Sequence, residues 1–168
     1  MYPVGHAVSA CAIVWAATRH AQAAEAHTPA HIDYRFVVLG ALLPDLIDKP
    51  LVWWIVPSDQ AGGHHIGHAL LFSAALIAAG LLLSHRAGDN RLLLLGIGSL
   101  SHVLIDSTTH IPRSLLWPFV TLHIEWSKLL VGSTNIAGEF FGSIVVLALG
   151  WRLWRAGKLE PALRYGRL

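Results

Sequence analysis

Apolar residues in this chain gather into long blocks rather than alternating with polar ones. Ile66–Leu83 runs for 18 residues without Asp, Glu, Lys or Arg, and Leu92–Ile105 for 14. Leu129–Trp151 covers 23 residues and is interrupted only by Glu139. Two weaker runs precede them, Ala7–Ala17 and Phe36–Ile47, the second broken by Pro44 and Asp45. Blocks of this length predict helices, and those approaching about 20 residues can cross a bilayer. The shorter ones must tilt, thin the bilayer or gather their polar ends in a shared cavity. The expected fold class is all-α: a polytopic helical membrane bundle of about four to five apolar helices. It occupies residues 1–151 and is followed by a basic cytoplasmic tail, residues 152–168.

Composition strengthens this picture. Only 13% of the 168 residues are charged, against roughly 25% in an ordinary soluble domain. Mean hydropathy is +0.54. A chain this small exposes much of its surface, and so few charges cannot wet it. The single cysteine, Cys11, excludes an intramolecular disulfide framework and any Cys-rich zinc module. Arg152, Arg155, Lys158, Arg164 and Arg167 fall in the last 17 positions, opposed only by Glu160. Beside an apolar segment, such a tail marks the cytoplasmic side of a membrane, and no nucleic-acid partner is expected. Arg19, Arg35, Arg86 and Arg91 fall on the same side. The opposite ends carry His6, Asp45, Asp48, His64, His65, His68, Asp106 and His110, which places the polar cluster on the non-cytoplasmic side of a plasma or inner membrane. Ala7–Ala17 with Ala21-Gln22-Ala23 also resembles a signal peptide, whose cleavage would remove His6. The lack of a preceding Lys or Arg argues against that reading.

The chemistry-bearing residues form three groups. In His102-x3-Asp106-x3-His110, residues four apart share one helical face, so imidazole and carboxylate can chelate one divalent cation. A charged Asp on an apolar helix is costly unless paired or bound to a metal. The second group is His64-His65-Ile66-Gly67-His68, and the third Leu43-Pro44-Asp45-Leu46-Ile47-Asp48. Counting back from Ser84 at 1.5 Å per residue lifts His68 about 24 Å above the Ser84–Arg91 turn, and counting forward from Arg91 lifts Asp106 about 22 Å. An antiparallel hairpin therefore sets the two level. Metal ligands are expected at His6, Asp45, His64, His68, His102 and Asp106, with Asp48, His65 or His110 moving a proton. Glu139 is a candidate partner or ligand, although Gly138-x3-Gly142 around it also suits close helix packing. Walker, dinucleotide, His-Glu-x-x-His and Gly-x-Ser-x-Gly motifs are absent.

At His6, Leu43–Asp48, His64–Ser73, Gly98–Asp106 and Trp117–Phe119 the chain resembles the YdjM-like family of membrane-bound, metal-dependent hydrolases. The resemblance implies a mostly helical inner-membrane protein. More distantly, the order His, Asp, His, His-x3-Asp is similar to zinc-dependent phospholipase C and related nucleases, which implies an ester or phosphoester substrate. The chain departs from the family's His-Arg-Gly-x-x-His-Ser, leaving both His64 and His65 as matches to its first histidine. In place of the later His-x3-Glu of the phospholipases it has only Asn135-x3-Glu139, which implies one or two ions rather than three. Mixed His and carboxylate ligation suits zinc and also admits Mn²⁺ or Fe²⁺. The expected function is hydrolysis of a lipid or lipid-linked substrate by a metal-activated water, and the alternative is a non-catalytic metal carrier or sensor. A transporter would need a polar path to the basic side, and Leu70–Leu83 offers none.

Overall fold

The computed structural model describes residues 3–24, 32–55, 65–109, 114–120, 122 and 128–166. Among these residues there are six α-helices and no strand: α1 (Pro3–Ala24), α2 (Tyr34–Pro50), α3 (Leu70–Ala87), α4 (Arg91–Thr109), α5 (Lys128–Arg155) and α6 (Leu159–Tyr165). A π-helical turn, Leu51–Ile55, extends α2, and a 3₁₀ turn, Ile66–His68, leads into α3. Four of the five apolar runs correspond to whole helices. The fifth, Ile66–Leu83, divides, because its first residues form the 3₁₀ turn. Pro44 does not interrupt α2, which continues to Pro50.

Helix α4 is the centre of the bundle, packed against α2, α3 and α1. Its closest neighbour is α2, and glycine makes the approach possible. A Cβ on Gly98 would lie 2.3 Å from the Val37 carbonyl oxygen, and one on Gly40 would lie 2.1 Å from that of Leu95. Small residues at both positions let the two backbones touch, as in helix crossings within membranes. Around the crossing Val37, Ala41, Ala10, Val14 and Leu94 form the apolar core. Two buried hydroxyls inside the bundle pair with each other: Ser73 of α3 and Ser99 of α4 lie 2.9 Å apart.

The outward faces of α3 and α5 are apolar. Both helices are long and apolar enough to cross a membrane, and only 11% and 6% of their spans are buried inside the molecule. Leu71, Leu81, Leu82, Phe140, Phe141 and Leu147 all point outward. An apolar surface this extensive requires lipid or another apolar partner.

At the basic end, α6 folds back onto the start of α2. Asp33 caps α2 by accepting from Arg35 N at 3.1 Å. The Tyr34 N–H donates to the Gly166 carbonyl at 2.9 Å, and the Arg35 guanidinium to that of Arg164. Residues 152–155 complete α5 and residues 159–165 form α6, so much of the basic segment is helical.

Candidate metal centre

Four elements deliver their polar side chains to one point at the end opposite the basic turn. His6 lies one turn into α1, Asp45 and Asp48 in the last turns of α2, His68 in the 3₁₀ turn, and His102 and Asp106 on one face of α4. His6, Asp48, His68 and His102 are fully buried and Asp106 is 4% exposed. Asp45 is partly open, with 14% of its side chain accessible.

Two contacts fix the histidine tautomers. His102 Nδ1 lies 2.6 Å from the Ala41 carbonyl oxygen, which can only accept, so Nδ1 carries the proton. Pro44 brings no N–H to the helical ladder, so the carbonyl of Gly40, the residue before Ala41, loses its ladder donor. His68 Nδ1 lies 2.7 Å from Asp48 Oδ2 and donates to it. In their neutral forms both rings therefore present a lone pair at Nε2. These two nitrogens face each other at 3.2 Å. Asp106 Oδ2 lies 3.5 Å from His102 Nε2 and 3.8 Å from His68 Nε2, and Asp45 Oδ1 lies 3.8 Å from His68 Nε2. Four electron-rich atoms thus converge, and electrostatics requires a positive charge among them, either a proton or a cation.

His6 lies alongside. Its ring stacks on that of His102 at a centroid distance of 3.8 Å, and its Nε2 is 3.1 Å from Asp106 Oδ1. That approach lacks hydrogen-bond geometry, and both ring nitrogens of His6 are buried without a hydrogen-bond partner. Buried imidazole nitrogens left in this state call for a further partner.

Asp48 stands behind the cluster. Its carboxylate accepts from the backbone N–H groups of His65, Gly67 (2.8 Å) and His68 (3.1 Å), and from His68 Nδ1. Gly67 makes this cradle possible, because a Cβ there would stand 2.8 Å from the Pro44 carbonyl oxygen. A carboxylate saturated by four donors orients the histidine, whereas a proton-transferring base needs a lone pair to spare.

The structure therefore brings together His6, Asp45, His68, His102 and Asp106 of the expected ligands. Their donor atoms form two overlapping groups, each within 4.8 Å: His6, His102 and Asp106, and Asp45, His68 and His102. His65 belongs to neither group; it is half-buried and holds Asp48 through its backbone N–H. His64 and His110 lie outside the described residues. Glu139 is not in the cluster. It accepts from Val4 N at 3.3 Å and Gly5 N at 2.9 Å, capping the start of α1. Two participants were not anticipated from the sequence. Lys49 donates to Asp45 Oδ2 at 2.7 Å, and its place at the wrong end of the charge pattern was the available signal. The Ala41 carbonyl gives no side-chain signal at all.

Comparison with known families decides the relationship. The model of the YdjM inner membrane protein family matches residues 1–163. This chain belongs to that family. The match runs from α1 into α6 and includes every residue of the His/Asp cluster. Comparison with curated proteins and with solved structures finds no match. Membership agrees with the apolar spans of α3 and α5 and makes this an inner-membrane protein.

Proposed function

We propose that the cluster is the metal centre of a membrane-embedded hydrolase that cleaves an ester or phosphoester bond in a lipid or lipid-linked substrate. The observation that carries this reading is the 3.2 Å approach of two Nε2 lone pairs, each locked into place by an acceptor behind its ring. Metal-binding histidines characteristically have such support on the far nitrogen.

The donor set suits zinc. With Zn–N and Zn–O bonds of about 2.0–2.1 Å, the edge of a tetrahedron is about 3.3–3.4 Å. The spacings here are 3.2, 3.5 and 3.8 Å. A calcium site would need six to eight oxygens, and this one offers two imidazoles. Both ligand groups contain His102, whose Nδ1 is committed to Ala41, so it has one lone pair to give. The groups are therefore two descriptions of one centre, with Asp45, His68, His102 and Asp106 as ligands of a single ion. His6 completes the shell or accepts a proton from the reacting water. When bound, the cation supplies Lewis acidity, polarising the ester or phosphoryl oxygen and acidifying a water.

Helices α1, α2 and α4 are taken as embedded alongside α3 and α5, with the cluster at the non-cytoplasmic face. The charge pattern supports this orientation, as do two aromatic girdles. Trp54, Trp117 and Phe119 are exposed near the cluster, and Trp15, Trp151 and Trp154 toward the basic end. Deep burial of His6, His68 and His102 favours the second reading, a carrier or sensor that holds metal without hydrolysis.

Metal analysis of the purified protein, with assays on generic phosphodiester and ester substrates, tests both. Stoichiometric metal with activity lost in His102→Ala and Asp106→Asn is the expected result. Metal without hydrolysis leaves the carrier or sensor; absence of metal from the wild type ends both readings.

A further inference from the structure

Lys49 is the charged group at the site that hydrolysis as described does not use. Among the described side chains, every other Lys and Arg lies toward the opposite end, around α6, at the start of α2, late in α1 or flanking the α3–α4 turn. Among the described side chains, a cation at the cluster end runs against that pattern. Its Nζ donates to Asp45 Oδ2 at 2.7 Å, while Asp45 Oδ1 faces His68 Nε2. Lys49 thus stands one carboxylate away from the point where the donors converge. An ammonium has three donors, and this contact occupies one. The Lys49 side chain is 43% exposed, whereas that of His68 is fully buried, so its remaining donors lie at the open edge of the cluster.

Charge gives this position a consequence. Asp45, Asp48 and Asp106 bring three negative charges when the imidazoles are neutral, and Lys49 brings one positive charge. Whatever ion is bound, removing Lys49 makes the site one charge more negative, and an anion is then held less tightly.

Building on the metal-centre reading above, we propose that Lys49 is the anion-binding residue of the site and that the substrate carries a phosphate-type oxyanion beside the bond to be cleaved. The ammonium receives a non-bridging oxygen of that group, while the reacting oxygen lies at the histidine–carboxylate cluster. An ion pair serving only to orient Asp45 would also account for the 2.7 Å contact, but its loss would act on phosphate through space alone, an effect that salt screens, so the titrations are made at high ionic strength, where only a direct contact still separates the variants.

The test uses full-length protein in phosphatidylcholine nanodiscs loaded with Co²⁺, whose visible spectrum reports its ligands. Inorganic phosphate and dioctanoyl phosphatidate are titrated separately into wild type, Lys49→Met and Lys49→Arg. Equal Co²⁺ uptake by all three is expected and shows that each variant is folded at the site. Phosphate is expected to bind about tenfold or more weakly to Lys49→Met, since a charge-assisted hydrogen bond is lost. Lys49→Arg, which keeps the charge, should remain within about threefold of wild type. Tighter binding of phosphatidate than of phosphate supports a lipid headgroup as the source of the anion; equal affinities support a water-soluble phosphoester. Equal phosphate affinity in wild type and Lys49→Met, with Co²⁺ bound to both, overturns the role of Lys49 and leaves the metal centre standing. Failure of wild type to take up Co²⁺ overturns both.

Discussion

Asp106 and Glu139 are each the lone acidic residue of an apolar helix, yet their surroundings differ in kind. Glu139 on α5 meets two backbone N–H groups, those of Val4 and Gly5, which no earlier turn of α1 can satisfy. Donors of this sort neutralise a carboxylate without any ion. Asp106 on α4 faces imidazole nitrogens instead: His6 Nε2 at 3.1 Å, His102 Nε2 at 3.5 Å and His68 Nε2 at 3.8 Å. His102 and His68 have already committed an N–H elsewhere, to Ala41 and Asp48. Of the three rings only His6 has an N–H left to give, so what a carboxylate does inside an apolar bundle depends on how many of its neighbours donate and how many accept. By that criterion Asp48, ringed by donors, belongs with Glu139, and Asp45 belongs partly with each group because one oxygen meets Lys49 and the other faces His68.

The sharpest way to break the comparison is to exchange acid for amide at both positions. Asp106→Asn should lose stoichiometric metal, as should His102→Ala, whereas Glu139→Gln should keep it; elemental analysis of the purified variants reads the difference. Stability should follow the metal. A ligand at 100 times its dissociation constant adds about 2.7 kcal/mol to the folded state. Chelation should therefore lower the melting temperature of the wild type and leave that of Asp106→Asn unchanged. Equal metal content in Asp106→Asn and Glu139→Gln would erase the distinction between the two carboxylates.

The next effect separates ligands from their supports. Asp48→Asn replaces one acceptor oxygen by a donor NH₂, which then confronts either the Gly67 N–H at the Oδ1 position or the N–H groups of His65 and His68 at the Oδ2 position. Loss of such outer support typically weakens metal binding about 10–100-fold. Gly67→Ala should act in the same direction, because its Cβ would stand 2.8 Å from the Pro44 carbonyl oxygen and push the 3₁₀ turn off Asp48. Competition with a chelator of known affinity measures both. An Asp48→Asn protein that binds metal as tightly as wild type would show that His68 needs no anchor.

These supports mark the boundary of what could be read from the chain. The helices were legible because apolar runs and the rise per residue are properties of sequence, and the same counting set His68 level with Asp106; their Nε2 and Oδ2 atoms lie 3.8 Å apart. Spacing on one helical face likewise paired His102 with Asp106. Pro44 breaks the apolar run of α2 without ending the helix, because close packing against α4 carries α2 across the one ladder bond that the Gly40 carbonyl loses. The role of Asp48 was hidden because three of its donors are backbone N–H groups, placed by the fold of a turn and carrying no residue signature. Helix α6 was hidden for the same reason, since backbone carbonyls of Arg164 and Gly166 hold it to α2.

The smallest effect is expected at Glu139 itself. Glu139→Gln keeps one oxygen for the two N–H groups, and Glu139→Ala keeps none. Removing a helix cap costs about 0.5–2 kcal/mol. Glu139→Ala should therefore lower stability by about 1 kcal/mol, and Glu139→Gln by less, because its carbonyl still accepts. Thermal unfolding of chelator-treated protein isolates this cost from any metal contribution. His6 lies on the capped turn, so loosening of α1 reaches the centre only through that one side chain. Metal affinity should therefore move by about threefold or less, far below the loss expected when the anchor of His68 is removed. A collapse of metal binding in Glu139→Gln would mean that donors alone do not settle this carboxylate and that its negative charge acts on the cluster across the α1–α5 contact.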